Sequence, residues 1–139
     1  MLNFFKKNNN SNNNISIISL ACLLIHAARI DEIYTKQEKE IIKKTLIKLG
    51  LEENNVEEVL IEAEKLESDS HQILAFTKEA KNLDQEKKII LIEALWNIIY
   101  SDENADMYEA NLMRRISGLL YIDKKVVGDI KEKIKNSKS

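Results

Sequence analysis

The 139-residue chain has no proline, three glycines and one cysteine. So few breakers favour an all-α chain. The one cysteine, Cys22, excludes an intramolecular disulfide and fits a reducing compartment. There is no Gly-rich phosphate loop, and no Ser/His/Asp or Cys/His constellation can be drawn, so an enzyme is not expected. There is also no strong charge of either sign. The net charge is −2, and Lys and Arg are spread over most of the expected helices, so no nucleic-acid footprint is visible.

What is present is an ordinary globular balance, 44% hydrophobic and 32% charged residues. The length suits one domain that buries roughly 65–70% of its unfolded surface. Residues 1–14 read as a disordered tail: MLNFFKK is followed by NNNSNNN, a polar run with nothing to bury. Leu2, Phe4 and Phe5 beside Lys6 and Lys7 suit a frayed terminus better than a membrane contact. The ordered domain is expected over 15–136. Its first segment, Ile15–Ile30, carries His26 and Arg29 inside 16 apolar-rich residues. A membrane span needs about 20 apolar residues, so no stable membrane insertion is expected. Ser19-Leu20-Ala21-Cys22 resembles a lipoprotein cleavage box, but Leu20 stands one place late and the apolar core before it is short. A buried helix in a cytoplasmic protein is the preferred reading.

That segment repeats. A shift of 71 residues carries Ile18, Leu20 and Leu24 onto Ile89, Leu91 and Leu95, then Asp31, Thr35 and Glu38 onto Asp102, Asp106 and Glu109. Further on, Val56, Val59 and Ala63 fall on Val127, Ile130 and Ile134. The fold expected is an all-α single-domain bundle of about seven helices with a duplicated three-helix motif. The second helix opens at Thr35 and stops at Gly50 as C′ residue. The third buries Val56, Val59, Leu60, Ala63 and Leu66. The fourth starts near Ser70 and buries Ile73, Phe76, Thr77 and Ala80. The fifth runs Asp84–Tyr100. The sixth starts at Asp106 and buries Leu112, Met113, Ile116, Leu119 and Leu120. The seventh starts at Asp123. The first and fifth, apolar almost all round, belong at the centre.

The candidate site lies where each central helix hands over to the next. Asp102-x-Asn104-x-Asp106 sets three oxygen side chains at alternate positions, the 1-3-5 spacing of a calcium loop, with Glu103 and Glu109 close by. The glycine at position 6 is missing, and Glu109 stands at position 8 rather than 12, so this is not an EF-hand. Asp31 and Asp102 lie just beyond a helix C-terminus, where the dipole disfavours an anion, and a cation or the next helix start must offset that. The cofactor expected on this reading is a divalent cation, Ca²⁺ or Mg²⁺. The ligands are Asp102, Asp106 and Glu109 with Asn104 and Glu103 in the second loop, and Asp31 and Glu38 in the first. The competing reading needs no metal, because Thr35/Glu38 and Asp106/Glu109 are adequate capping boxes. Elsewhere, His26 and His71 form no metal-spaced pair. Cys22 is read as a small core residue. Trp96, with Ile92 and Ile99, is at core spacing. Lys36, Lys39, Lys43, Lys44 and Lys48 read as a solvated face.

The pattern ALW-x-x-x-Y-x-D-x-x-x-D-x-x-E at Ala94–Glu109, with AR-x-D-x-x-x-x-x-x-E at Ala28–Glu38, resembles the TerB-like family. That family includes tellurite-resistance proteins and the N-terminal domain of DjlA-type co-chaperones. The resemblance covers about Ile15 to Ile134. It implies a bundle of about seven helices with an acidic surface suspected of binding divalent cations. The family's glycine after the motif Asp is replaced by Glu32 and Glu103, which tolerate positive φ badly. Its second acid is Thr35 in the first repeat, which weakens the first loop as a site. Two functions follow from the resemblance. One is a cation-binding protein of stress or tellurite response. The other is a helical module for an unknown protein partner, in which the acids are only caps.

Overall fold

The computed structural model describes residues 11–30, 34–70, 77–78, 80–101 and 107–137, with side chains from residue 17 on except at 70 and 107–110. Six helices are described: α1 Ser11–Ala28, α2 Lys36–Lys48, α3 Val56–Ser70, α4 Gln85–Ser101, α5 Met107–Leu119 and α6 Lys124–Ser137. A single 3-10 turn, Glu53–Asn55, leads into α3. Residues 77, 78 and 80 are also helical, within the stretch expected to form a further helix. No strand occurs among the described residues.

The shift of 71 that aligns the sequence also aligns the helices, since it carries Lys36–Lys48 onto Met107–Leu119. In each half the first helix packs on the third, α1 on α3 and α4 on α6. α4 also packs against α1 and α2, so it joins the halves. The two central helices are buried almost all round, as their composition requires. Leu20 to Ile25 of α1 are buried without interruption, and Leu91, Ile92, Leu95, Ile98 and Ile99 of α4 are buried with them. Burying apolar area on every side at about 25 cal/mol per Å² makes these two helices the main source of stability.

Caps define where the surrounding helices begin and end. Thr35 accepts from Glu38 N at 3.1 Å, and the Glu38 carboxylate accepts from Thr35 N at 2.8 Å, a complete capping box. Asp84 accepts from Lys87 N to open α4, and Asp123 accepts from Lys125 N to open α6. α2 ends at Gly50, with φ +112°: Gly50 N donates to Ile47 O and Leu51 N to Leu46 O, the two bonds of a Schellman motif. The second half repeats that closure with the non-glycine Tyr121 at φ +57°, where Tyr121 N donates to Gly118 O and Ile122 N to Ser117 O. Lys88 of α4 reaches the same corner and donates from Nζ to Leu120 O at 2.8 Å, a cation at a helix C-terminus.

Four expectations change. α1 starts at Ser11, so residues 11–14 of the expected tail are helical. Once the buried turns have formed, each further residue adds a hydrogen bond, and even asparagine can extend the helix. Leu66 is 40% exposed, and Glu67 takes the inward position four residues after Ala63. Leu119 is only half-buried, with Ser117 and Leu120 on the inner face. Lys39 and Lys43 are half-buried rather than fully solvated, because they reach Glu64 and Glu57 of α3. Ile73, Phe76 and His71 lie outside the described residues.

Candidate functional site

Of the residues expected to form the acidic site, Asp31, Asp102, Glu103, Asn104 and Asp106 lie outside the described residues. Glu109 lies in the first turn of α5, and its side chain is likewise outside them. Glu38 is described. It is buried, and its Oε1 accepts from both Thr35 N and Thr35 Oγ1. The carboxylate is thus engaged in the cap of its own helix. Among the described residues, no group of three His, Cys, Asp or Glu side chains could hold a metal ion.

The described flank of the first loop holds a different construction. Glu67, inside the interface of α1 and α3, is 2% exposed. Arg29 Nη1 donates to its Oε1 at 2.7 Å, and His26 Nδ1 lies 3.2 Å from its Oε2. An ionised carboxylate only accepts, so Nδ1 carries the proton in that contact. Burial pushes the Glu67 carboxyl up, but the hydrogen bonds from Arg29 and His26 outweigh it and hold the group below the usual range. Arg29 Nη1 also donates to Glu64 O and Ser68 Oγ. Tyr34 donates to Glu64 Oε2 at 2.9 Å, and its ring lies 5.2 Å from the Arg29 guanidinium and 5.3 Å from Lys39 Nζ. Burial, and then the bond to the Glu64 carboxylate, push the Tyr34 hydroxyl well above the ordinary phenol range.

Cys22 lies beneath this network, and its Sγ donates to Ala63 O. Burial, reinforced by the charge of Glu67, pushes the thiol up to about 12. It therefore stays protonated and unreactive at neutral pH. His26 is structural, as its lack of a metal-spaced partner implies. Sequence reasoning missed the network itself. Its visible signal was two spacings of three residues, His26/Arg29 on α1 and Glu64/Glu67 on α3. Only the packing of α1 on α3 brings those pairs face to face.

The positions matched by the 71-residue shift differ in the second half. His26 becomes Asn97, Arg29 becomes Tyr100 and Lys39 becomes Ala110, while Glu64 and Glu67 become Lys135 and Lys138. The first half's helix-borne cations thus become neutral residues, while its two glutamates become lysines, so the second flank carries cations of its own at different positions. Lys135, exposed near the end of α6, makes no ion pair among the described residues. The donors of the second loop, three alternate oxygen side chains and a glutamate on the following helix, are all hard and suit a hard cation.

Comparison with curated proteins and with solved structures finds no match. A family model does match: that of the tellurite resistance protein TerB covers residues 17–132, both repeats and nearly all of the described helices. The duplicated all-α frame and this match together place the chain in the TerB family.

Proposed function

We propose that this TerB-family chain is a cytoplasmic, non-enzymatic stress protein that binds one hard divalent cation, Ca²⁺ or Mg²⁺, at its second acidic loop. Asp102, Asp106 and Glu109 are the ligands, and Asn104 or Glu103 assists. The first loop, with Asp31 and Glu38, serves as structure. The observation that carries this reading is the donor set of the second loop, Asp102, Asn104 and Asp106 at alternate positions with Glu109 on the following helix. In the first half Arg29, His26 and Lys39 stand among the carboxylates, and Glu38 is engaged in its cap. In the second half the positions of those three cations hold Asn97, Tyr100 and Ala110, and Lys135 and Lys138 replace Glu64 and Glu67. Three clustered oxygen side chains at alternate positions, with Glu109 beyond them, are the hard donors that a hard cation takes. The family's description supports a role in tellurite resistance. No described helix is long and apolar enough to cross a membrane, which is consistent with a cytoplasmic protein.

Melting temperature against cation concentration tests the reading. A cation that binds only the folded state stabilises it by about 2.7 kcal/mol at a hundred times its dissociation constant. The melt should rise with millimolar Ca²⁺ or Mg²⁺, and Asp102→Asn should abolish the rise. Asp106→Asn separates ligand from cap, because Asn caps as well as Asp but is an uncharged ligand. If wild type and Asp106→Asn melt together at every concentration, the acids are caps, and the protein-interaction reading takes the place of cation binding.

A further inference from the structure

A groove of 330 Å³ opens between α4, α5 and α6, at the far side of the second half's core. Trp96, Met113, Ile122 and Val127 supply its apolar surface, and Arg114, Lys124 and Lys131 are the charged residues that line it. No carboxylate is among the described residues that line it. Arg114 and Lys124 make no ion pair among the described residues, and Lys131 rests 5.4 Å from the Trp96 ring centroid. The indole Nε1 is buried without an acceptor among the described residues. Two glycines, Gly118 and Gly128, complete the lining, and a Cβ built on either meets nothing within 4 Å. The space exists because side chains are missing there.

The first half shows what fills the same place when it is closed. Gly128 matches Glu57, Gly118 matches Ile47, Ser117 matches Leu46 and Lys131 matches Leu60. Leu46 and Leu60 are buried and fill it, whereas Ile47 and Glu57 lie at its exposed rim, where Glu57 pairs with Lys43 at 2.5 Å. Lys43 is the counterpart of Arg114. The second half has therefore lost the apolar filling and also the carboxylate that would neutralise Arg114. Lys124 stands where the first half has Glu53, which adds a further cation.

We propose that this groove binds a small carboxylate with an apolar body, such as a medium-chain fatty acid or an aryl acid. The tail would lie on Trp96 and Val127, and the carboxylate would meet Arg114, Lys124 and Lys131. The volume is at the lower end of small-ligand pockets, about 300–1,000 Å³, and fits a single ring or a medium acyl chain. An anion is selected because the described lining is cationic with no carboxylate of its own, and a guanidinium holds a carboxylate through two parallel hydrogen bonds. The acidic loop plays no part, so the two sites fail or stand separately.

The chain's one tryptophan lies in this groove, so its emission reads the site directly. Octanoate is the probe, with octanol and octylammonium as the neutral and cationic counterparts, each followed by Trp96 fluorescence and by titration calorimetry. Octanoate should give a saturable change in emission and a 1:1 binding heat. Octanol should bind at least tenfold more weakly, and octylammonium not at all. Gly128→Leu fills the groove, and Gly128→Glu restores the carboxylate that the first half places opposite Lys43. Each should abolish octanoate binding while circular dichroism keeps its helical signal. Lys124→Gln should weaken octanoate several-fold and leave octanol unchanged. Equal affinity for octanol and octanoate would overturn the proposal, as would undiminished binding in both folded Gly128 variants. Absence of both heat and emission change for wild type would also overturn it. Should one Gly128 variant fail to fold, the other and Lys124→Gln decide.

Discussion

At the end of α1, His26 and Arg29 meet Glu67 of α3; in the second half the corresponding positions are Asn97, Tyr100 and Lys138. Farther along, the Lys43–Glu57 pair of the first half faces an Arg114 and a Gly128 in the second. Between these points the halves agree: Leu20, Leu24, Ile42 and Val59 are buried, and so are Leu91, Leu95, Met113 and Ile130. The apolar frame is common to both halves, and the polar layer between first and third helices is not. A duplicated frame can differ there because burial of the central helices supplies the stability. The polar positions are then free to differ, with Arg29–Glu67 joining the first half's helices and Lys133–Glu93, at another position, joining the second half's.

The frame itself is the first thing to break. Leu24 and Leu95 occupy matching positions in the two central helices, and both are fully buried. Leu→Ala at either should cost about 2–5 kcal/mol, the transfer term plus the cavity left behind. Urea unfolding of the two variants measures this. Similar losses support two equivalent central helices. A loss below about 1 kcal/mol at Leu24 alone would mean that the first helix is an accessory to a core centred on α4.

The polar layer should separate the halves. Glu67→Gln removes the charge that Arg29 and His26 address and should cost about 1.5–3 kcal/mol, the range for hydrogen bonds to charged groups. Lys135→Gln, at the matching face of α6, should change stability by less than about 0.5 kcal/mol, because that exposed lysine pairs with nothing described. The contrast has a pH signature. The Glu67 carboxyl titrates lower in the folded state than the ordinary glutamate value of about 4.3. The unfolded chain therefore takes up the proton first as acid is added. Stability from this group is complete above that value and is lost as pH falls through the folded one. Wild type should show this loss in acid urea titrations, and Glu67→Gln should lack it. A Glu67→Gln curve parallel to wild type from neutral pH to pH 2 would remove Glu67 from the account.

The sequence allowed the frame to be read and hid most of the polar layer. Thr35 with Glu38, Gly50, Asp84 and Asp123 were legible because a cap uses residues within one turn of each other. The central helices were legible because their apolar surface has no polar face. Leu66 was misread because it and Glu67 follow Ala63 at three and four residues, and both spacings are helical. Only the cations of α1 on the opposing surface decide that the glutamate turns inward. The groove at Trp96 was illegible for a related reason. It is made by absent side chains on three helices, and Gly118 and Gly128 read in isolation are only weak helix formers. At the acidic loops the sequence supplies the donor types and spacing, and the described structure adds only the cap at Glu38 and the contrast between the flanks.

The smallest expected difference concerns the two closing turns. Gly50 and Tyr121 hold the same C′ position after matching helices, both at positive φ. Tyr121 sits at +57°, near the left-handed minimum, where an L side chain costs about 1–2 kcal/mol. Its ring is 76% exposed and recovers little of that by burial. Tyr121→Gly relieves the strain but gives the unfolded chain more freedom, which offsets about 0.5–1 kcal/mol. The net gain should be small, at most about 1 kcal/mol, seen as a slightly higher urea midpoint with an unchanged slope. The reverse change is not its mirror image. Gly50 lies at +112°, outside the left-handed minimum, and no other residue tolerates that angle as glycine does. Gly50→Tyr should therefore lose more than Tyr121→Gly gains, although open space surrounds Gly50 and no clash is added. Equal and opposite shifts would mean that the two turns share one backbone conformation. A destabilised Tyr121→Gly would mean that the exposed ring contributes more than its strain removes.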